Sequence, residues 1–153
     1  MNAEPRAAYV HVPFCRHRCG YCNFTLVAGR DDLIERYLAA LARELGTHHG
    51  PREVDTLFLG GGTPTHLPPA ALARLLEQVQ TAFPLAPGGE FSIEANPLDL
   101  ADPQRVAALA AAGVNRVSLG VQSFSDRKLE LLERDHRRGE IAAAYAAART
   151  FAR

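Results

Sequence analysis

The stretch CRHRCGYCNF, residues 15–24, contains all three cysteines of a chain of 153 residues. Cys15, Cys19 and Cys22 follow the spacing C-x3-C-x2-C. An odd number of cysteines at such tight spacing is not the pattern of a secreted disulfide framework. The residues R-H-R between the first two cysteines make the loop polar, which argues against three buried structural cysteines. The spacing instead indicates a small metal centre with three thiolate ligands on one loop.

Two kinds of metal centre fit three thiolates on one loop. A [4Fe–4S] cluster prefers four cysteine ligands, so three would leave one iron open for another ligand. Zinc is the alternative, with His11 or His17 completing a Cys3His site. Zinc sites typically draw their ligands from two separate segments, which favours the cluster, although the softness of thiolate ligands admits both metals.

Outward from this loop, the chain alternates between strands and helices. Short runs bounded by turn residues predict strands at residues 7–12, 54–59, 90–95 and 115–121. Apolar stripes at helical spacing, with capping residues, predict helices at 31–46, 72–83, 102–113 and 125–134, and the Ala-rich segment 141–153 favours a helix. The run PLAPGG, residues 84–89, is expected to end the helix at 72–83. The order predicts an α/β fold with a parallel sheet, either doubly wound or an arc of a barrel.

The predicted strands have two different faces. In the third strand, Phe91 and Ile93 share one face, while Ser92 and Glu94 share the other. The first and fourth strands repeat this pattern, with valine and leucine opposite tyrosine, histidine, serine and glycine. Parallel sheets are usually covered on both faces, so the polar face is expected to surround a ligand.

Residues with distinctive chemistry follow the carboxyl ends of the strands, where α/β sheets bind ligands. The GGGTPT run after the second strand resembles a phosphate loop but lacks the Gly-Lys-Ser/Thr that grips phosphates. Glu94 could accept hydrogen bonds from an ammonium group or ribose hydroxyls, Gln122 can donate and accept, and Arg134 could bind a carboxylate. Together they predict a pocket for a zwitterionic, nucleoside-bearing ligand.

Composition excludes several classes of partner. The 17 basic and 17 acidic residues cancel, so nothing in the net charge points to nucleic acid. No apolar run approaches the roughly 20 residues that span a bilayer, and the first residues, MNAEPRAAYVHV, lack the features of a signal peptide. We therefore expect a cytoplasmic protein without a transmembrane segment.

Four motifs together carry a family resemblance. C-x3-C-x2-C after a first strand resembles the signature of the radical S-adenosylmethionine (SAM) superfamily. YVHVPFC, FLGGGTPT, IEANP and SLGVQSF, in this order from Tyr9 to about His136, resemble the oxygen-independent coproporphyrinogen III oxidase family and its relatives. The resemblance implies a partial (β/α)6 barrel, of which residues 1–153 would supply about four β/α units as the N-terminal portion of a radical SAM core domain. It also implies a [4Fe–4S] cluster whose open iron is chelated by SAM, and cleavage of SAM to a 5′-deoxyadenosyl radical.

The resemblance assigns expected roles residue by residue. It implies cluster ligation by Cys15, Cys19 and Cys22. It implies contacts to the cluster-bound SAM from Tyr9, Gly61 and Glu94. Positions that serve a second SAM in the oxidases are matched by Tyr21, Gly62, Thr63, Gln122 and Arg134. A further acidic SAM contact of that family would fall beyond Arg153.

One residue distinguishes two branches of the family. The oxidases continue the signature as C-x3-C-x2-C-x-C and carry a longer N-terminal extension, whereas this chain has Phe24 and reaches Cys15 almost at once. Both features resemble heme chaperones of the HemW type, which bind heme and pass it to acceptor proteins. The alternative is an enzyme, a coproporphyrinogen III dehydrogenase that removes propionate carboxyl groups as carbon dioxide.

The family resemblance also implies partners. These are heme or a porphyrinogen, a heme-acceptor protein, and an electron donor such as flavodoxin or ferredoxin. The sequence does not select a heme ligand from the histidines, which are His11, His17, His48, His49, His66 and His136.

Overall fold

The computed structural model describes residues 5–152 of the chain. Within that range the strands are β1 (Ala7–Val12), β2 (Phe14–Cys15), β3 (Val27–Ala28), β4 (Val54–Gly61), β5 (Leu85–Ala95) and β6 (Arg116–Leu119). The helices are α1 (Ile34–Leu45), α2 (Pro69–Ala82), α3 (Pro103–Ala111), α4 (Asp126–Leu131) and α5 (Arg138–Ala148). Short 3-10 turns occur at Asp31–Leu33, Pro64–His66 and Pro97–Ala101. Among these described residues, none of the helices combines the length and apolarity that crossing a bilayer requires.

The main sheet contains β1, β4, β5 and β6 in that order, and all of its pairings are parallel. Each strand is therefore added to the same side of the one before it. A doubly wound sheet reverses its order at a switch point, whereas a barrel does not. The observed order confirms the predicted parallel α/β fold and selects the barrel arc from the two alternatives.

The apolar face of the sheet packs against the helices, as the alternation of side chains predicted. Leu57 and Leu59 of β4 and Phe91 and Ile93 of β5 are all at most 1% exposed. Helices α1 and α2 cover them with one stripe of apolar residues each, including Ile34, Leu38, Leu41, Leu72, Leu75, Leu76 and Val79. Each such side chain contributes about 1.5–3 kcal/mol on full burial. This core fixes the strands whose carboxyl ends form the candidate site.

Helix α3 begins as the sequence predicts. Asp102 caps it, with Oδ1 accepting a hydrogen bond from the backbone N–H of Gln104 at 2.9 Å, and Pro103 occupies the first helical position. Gly113 follows the helix with φ of +71°.

Helix α2 ends at Ala82, just before the run PLAPGG, as predicted, but the third strand begins before the predicted residue 90. Strand β5 instead begins at Leu85, which pairs with Val54. Thr56 of β4 then pairs with Glu90, so the extra residues of β5 form a bulge that includes Gly88 at φ of +80°. Glycine permits this detour without ending the strand.

The cysteine loop, residues 16–26, follows β1 and β2, and its two ends are held together by backbone hydrogen bonds. Strand β2 pairs in parallel with β3, which places Cys15 beside Ala28. The backbone N–H of Val27 donates to the carbonyl of Pro13 at 2.8 Å, and that of Gly29 donates to the carbonyl of Cys15 at 3.3 Å. Residues 16–26 therefore leave and return at the carboxyl end of the main sheet.

Candidate radical SAM site

A cavity of about 250 Å³ lies at the carboxyl end of the sheet, between the cysteine loop and the ends of β4, β5 and β6. All of the site residues proposed from the sequence line it, except Tyr9: Cys15, Cys19, Tyr21, Cys22, Gly61, Gly62, Thr63, Glu94, Gln122 and Arg134. These residues come from five separate stretches of the sequence. The parallel sheet brings the stretches together because all of its strands end on the same rim.

The three cysteines are free thiols, each partly exposed to the cavity. The Sγ of Cys15 lies 3.3 Å from Thr63 Oγ1, and the Sγ of Cys19 lies 3.4 Å from a guanidinium nitrogen of Arg134. Burial raises the pKa of the Cys15 thiol, while the Thr63 hydroxyl acts in the opposite direction. A hydroxyl and a guanidinium beside sulfur stabilise the thiolate, the form in which cysteine binds metal.

The geometry argues against the zinc alternative. Among residues 5–152, no three His, Cys, Asp or Glu side chains are gathered around one metal ion. A zinc ion would draw its sulfur ligands to about 2.3 Å. Both ring nitrogens of His11 are already bonded, to Tyr9 and to the carbonyl of Thr25. His17 uses Nε2 to bond the carbonyl of Glu133 at 2.6 Å. The same His17 Nε2 also lies 3.6 Å from Cys19 Sγ, but the protein partners of both imidazole rings weigh against a Cys3His zinc site.

The glycines of GGGTPT allow protein segments to pack closely. A Cβ at Gly62 would lie 2.7 Å from the carbonyl oxygens of Val12 and Phe14, and a Cβ at Gly60 would lie 2.8 Å from Oε2 of Glu94. The backbone N–H groups of this run also have protein partners: that of Gly61 donates to Glu94 Oε2 at 2.8 Å, and that of Gly62 donates to the carbonyl of Val12 at 2.8 Å. The run therefore joins strand ends and is not an anion cradle.

Two polar side chains complete the far wall of the cavity. Gln122 has φ of +61°, a conformation that costs a non-glycine residue of the order of 1–3 kcal/mol and often marks a functional site. Arg134 donates to the carbonyl of Gly120 at 2.9 Å and approaches the Tyr21 hydroxyl at 3.5 Å. Its Nε is buried and has no hydrogen-bond partner among the described residues. Arg134 also lines the cavity, and a guanidinium is suited to an anionic group of a ligand.

Tyr9 stands apart from the cavity lining, on the inner face of β1. It is 56% exposed and its ring lies 5.6 Å from that of Phe58. Burial of part of the side chain and the charge of Glu94 raise the pKa of Tyr9. Its hydroxyl bonds His11 Nδ1 at 3.0 Å, and His11 Nε2 lies 2.8 Å from the carbonyl oxygen of Thr25. The carbonyl can only accept, so in the neutral ring Nε2 donates and Nδ1 accepts from Tyr9.

Several residues of the cavity wall were not proposed from the sequence. Arg16 lies between two carboxylates, 3.7 Å from Asp99 Oδ1 and 3.8 Å from Asp135 Oδ2. Asn96, which belongs to the IEANP motif, donates from Nδ2 to Asp135 Oδ1 at 3.1 Å. Leu26 adds an apolar surface. Asn96 could have been identified only because it belongs to a quoted motif. Arg16, Leu26 and Asp135 carry no signal of periodicity or spacing.

The structure distinguishes among the histidines considered as heme ligands. The rings of His11 and His17 bond protein groups, as described above. His66 Nε2 likewise bonds Asp31 at 2.9 Å. His136 is fully buried and its Nε2 lies 3.1 Å from the carbonyl of Val121. Burial, followed by the charge of Arg134, lowers the pKa of His136. His48 and His49 are both exposed.

Comparison with known proteins agrees with the fold and the four motifs. The model of the radical SAM superfamily matches residues 9–151. The heme chaperone HemW of Synechocystis sp. is 41% identical over 150 residues, which are 94% of this chain and 36% of that protein. The bovine mitochondrial radical S-adenosyl methionine domain-containing protein 1 is 43% identical over 138 residues, 88% of this chain and 31% of that protein.

A solved structure shows the same architecture. Coproporphyrinogen III oxidase (HemN) from Escherichia coli, a radical SAM enzyme, superposes with a TM-score of 0.86 at 33% identity, covering 97% of this chain and 35% of that chain. The chain thus spans about a third of the length of the relatives it matches. The superposition confirms an arc of the partial (β/α)6 radical SAM barrel, of which about four β/α units are present. The chain belongs to the radical SAM superfamily, and its similarity there is to HemW heme chaperones and to coproporphyrinogen III oxidase.

Proposed function

We propose that this chain is the N-terminal portion of the radical SAM core of a cytoplasmic heme chaperone, which binds heme and passes it to an acceptor protein. Phe24 carries the proposal. Its side chain is 69% exposed and lines the cavity beside Cys22, at the position where the oxidases have a further cysteine. An exposed aromatic ring there offers an apolar surface to a flat ligand, whereas a cysteine would offer a thiol. The similarity to proteins named HemW supports the same choice.

In this proposal the cysteine loop holds a [4Fe–4S] cluster through Cys15, Cys19 and Cys22. The hydroxyl of Thr63 and the guanidinium of Arg134 lie beside two of the three sulfurs and can donate hydrogen bonds to them. When bound, the cluster supplies the electron for reductive cleavage of SAM. An electron donor such as flavodoxin or ferredoxin is part of the same proposal.

The chain offers opposite charges to the two ends of the amino-acid moiety of SAM. Glu94 is an acceptor for an ammonium group or for ribose hydroxyls, and one of its oxygens is held by the N–H of Gly61. Arg134 lines the cavity, and its guanidinium can bind a carboxylate. Gln122 can serve as donor and acceptor together. In this proposal these contacts orient the ligand, and Leu26 and Phe24 add an apolar lining to the cavity.

The second candidate is an oxygen-independent coproporphyrinogen III oxidase. The match to HemN over 97% of this chain favours it. So does the presence, around one cavity, of five residues that match positions serving a second SAM in the oxidases, namely Tyr21, Gly62, Thr63, Gln122 and Arg134.

Two assays on the full-length protein, reconstituted anaerobically with iron and sulfide, separate these functions. We expect stoichiometric heme binding in a titration followed by absorbance, and no release of carbon dioxide from coproporphyrinogen III in the presence of SAM and a reductant. Turnover of coproporphyrinogen III would establish the oxidase instead, and a protein that neither binds heme nor turns over would refute both.

The metal assignment has its own control. Replacing Cys15, Cys19 or Cys22 by serine should abolish the absorbance of the cluster and reduce the iron bound per chain. Bound zinc without cluster absorbance, unchanged by these substitutions, would rule out the cluster.

A further inference from the structure

We propose that the triplet Arg16–His17–Arg18, between the first two cysteines, folds the cysteine loop before any metal binds. Its three side chains contact different groups: loop carbonyls, the carbonyl of Glu133, and the carboxylates of Asp99 and Asp135. The proposal concerns the metal-free protein and therefore stands or falls separately from heme carriage. Its consequence for cluster retention rests on the function proposed above.

Arg18 organises the return half of the loop from within. Its guanidinium donates to three backbone carbonyls, those of Cys22 at 3.2 Å, Phe24 at 3.3 Å and Leu26 at 3.2 Å. These alternate carbonyls belong to a segment with no regular secondary structure. A planar group with five N–H donors can bind three acceptors at once, which a lysine ammonium on a flexible stem does much less well. Arg18 therefore sets the course of the chain from the third cysteine to the apolar cavity wall.

His17 and Arg16 fasten the outer half of the loop to the neighbouring β/α units. Nε2 of His17 bonds the carbonyl of Glu133, a residue with φ of +55° that follows α4. Arg16 faces Asp99, which is only 3% exposed, and Asp135. Asp99 also accepts a hydrogen bond from the Thr65 hydroxyl at 2.9 Å. The loop is thereby attached to segments that follow β5 and β6, without a contribution from metal.

The polar backbone of the loop is largely satisfied by protein groups. His11 adds a bond to the carbonyl of Thr25, so consecutive carbonyls from Phe24 to Leu26 all have partners. The N–H of Cys22 donates to the carbonyl of Cys19 at 3.0 Å, and the β2–β3 pairing closes the base of the loop. Many metal sites fold only when the metal binds. Here the bonds from Arg18, His11 and His17 to backbone carbonyls involve only protein groups, so the thiols are preorganised in this proposal.

Hydrogen exchange on the metal-free, full-length protein tests this directly. Arg18→Ala should speed exchange of the Cys22, Val27 and Gly29 amides, whose N–H groups donate to backbone carbonyls, by about tenfold or more, since the charged hydrogen bonds that hold this segment are lost. Arg18→Lys should give an intermediate rate. Arg30→Ala is the matched control, because Arg30 is a similarly exposed arginine whose bonds, at 2.8 and 2.9 Å, go to the side chain of Asp32. A peptide covering α2 reports the global fold and should be unchanged in all variants.

A second readout follows the loaded protein. After reconstitution, iron should be lost to a chelator about tenfold faster from Arg18→Ala than from the wild type or Arg30→Ala, with Arg18→Lys between them. Fast, unprotected exchange of the Cys22, Val27 and Gly29 amides in the metal-free wild type would overturn the proposal. So would equal exchange in wild type and Arg18→Ala, or equal rates of iron loss.

Discussion

Replacing Gly61 by alanine should lower the free energy of unfolding by more than the cost of placing alanine at a positive φ. Gly61 has φ of +109°, a conformation that side chains other than glycine rarely adopt. A Cβ at this position would also overlap the imidazole of His11. The ring cannot swing aside freely, because Tyr9 holds one nitrogen at 3.0 Å and the carbonyl of Thr25 lies 2.8 Å from the other.

The two effects can be given separate magnitudes. Forcing alanine into a positive φ costs about 1–2 kcal/mol. Displacing His11 loses two hydrogen bonds at about 0.5–1.5 kcal/mol each. Gly61→Ala should therefore lower the free energy of unfolding by about 2–5 kcal/mol. Gly113→Ala is the matched control, because Gly113 has φ of +71° and a Cβ there would meet nothing within 4 Å, so that only the backbone cost applies.

Urea unfolding followed by circular dichroism measures both variants. Gly61→Ala should lose about 1–3 kcal/mol more than Gly113→Ala, with an unchanged slope against urea concentration. If the two variants lose the same free energy within about 0.5 kcal/mol, then the contact between Gly61 and His11 does not constrain the fold and the account of the GGGTPT run is wrong.

Three further predictions concern stability. The free energy of unfolding should fall as the pH drops from 7 towards 5, because the unfolded chain protonates His136 near its ordinary pKa of about 6.5 while burial keeps the folded pKa lower. His136→Gln should make the free energy of unfolding depend less on pH over this range. An unchanged dependence on pH would show that His136 is not its source. Asp99→Ala should cost about 1–3 kcal/mol by leaving the buried Thr65 hydroxyl without its acceptor, and a Thr65→Val, Asp99→Ala double variant whose loss equals the sum of the single losses would contradict this coupling. Arg74→Ala, which removes an exposed ion pair to Glu35, should change stability by less than about 1 kcal/mol in the same urea assay; a larger loss would mean that the pair joins α1 to α2 more strongly than its exposure suggests.

Local patterns in the sequence were sufficient to predict most of the fold. Alternation in β5 placed Phe91 and Ile93 in the core because side chains on a strand point to opposite faces in turn. The bulge at Gly88 was missed for a related reason. A Pro-Gly-Gly run ordinarily ends a strand, and only pairing with β4, which is remote in sequence, keeps the chain extended there.

The candidate site was predictable where a motif carried it and not where it depends on long-range contacts. Three cysteines at fixed spacing and four ordered motifs located nearly all of the residues around the cavity. The ion pairs of Arg16 with Asp99 and Asp135 join residues from different β/α units, and nothing local marks either partner. The resemblance of GGGTPT to a phosphate loop is a second example. Glycines permit close contact with a ligand or with another protein segment, and the sequence alone does not distinguish between the two.

Tyr9, His11 and the carbonyl of Thr25 are joined by two hydrogen bonds. The direction in which each bond donates its proton affects which ligands the inner face of the sheet can bind. With its proton committed to His11 Nδ1, the phenol oxygen of Tyr9 has only lone pairs to offer. The carboxylate of Glu94, close enough to raise the pKa of Tyr9, is likewise an acceptor. This side of the barrel therefore admits groups that bring hydrogens, such as ammonium or hydroxyl, and repels carboxylates. An amphoteric ligand entering from the rim would have its direction selected by that wall before any contact with the cysteine loop.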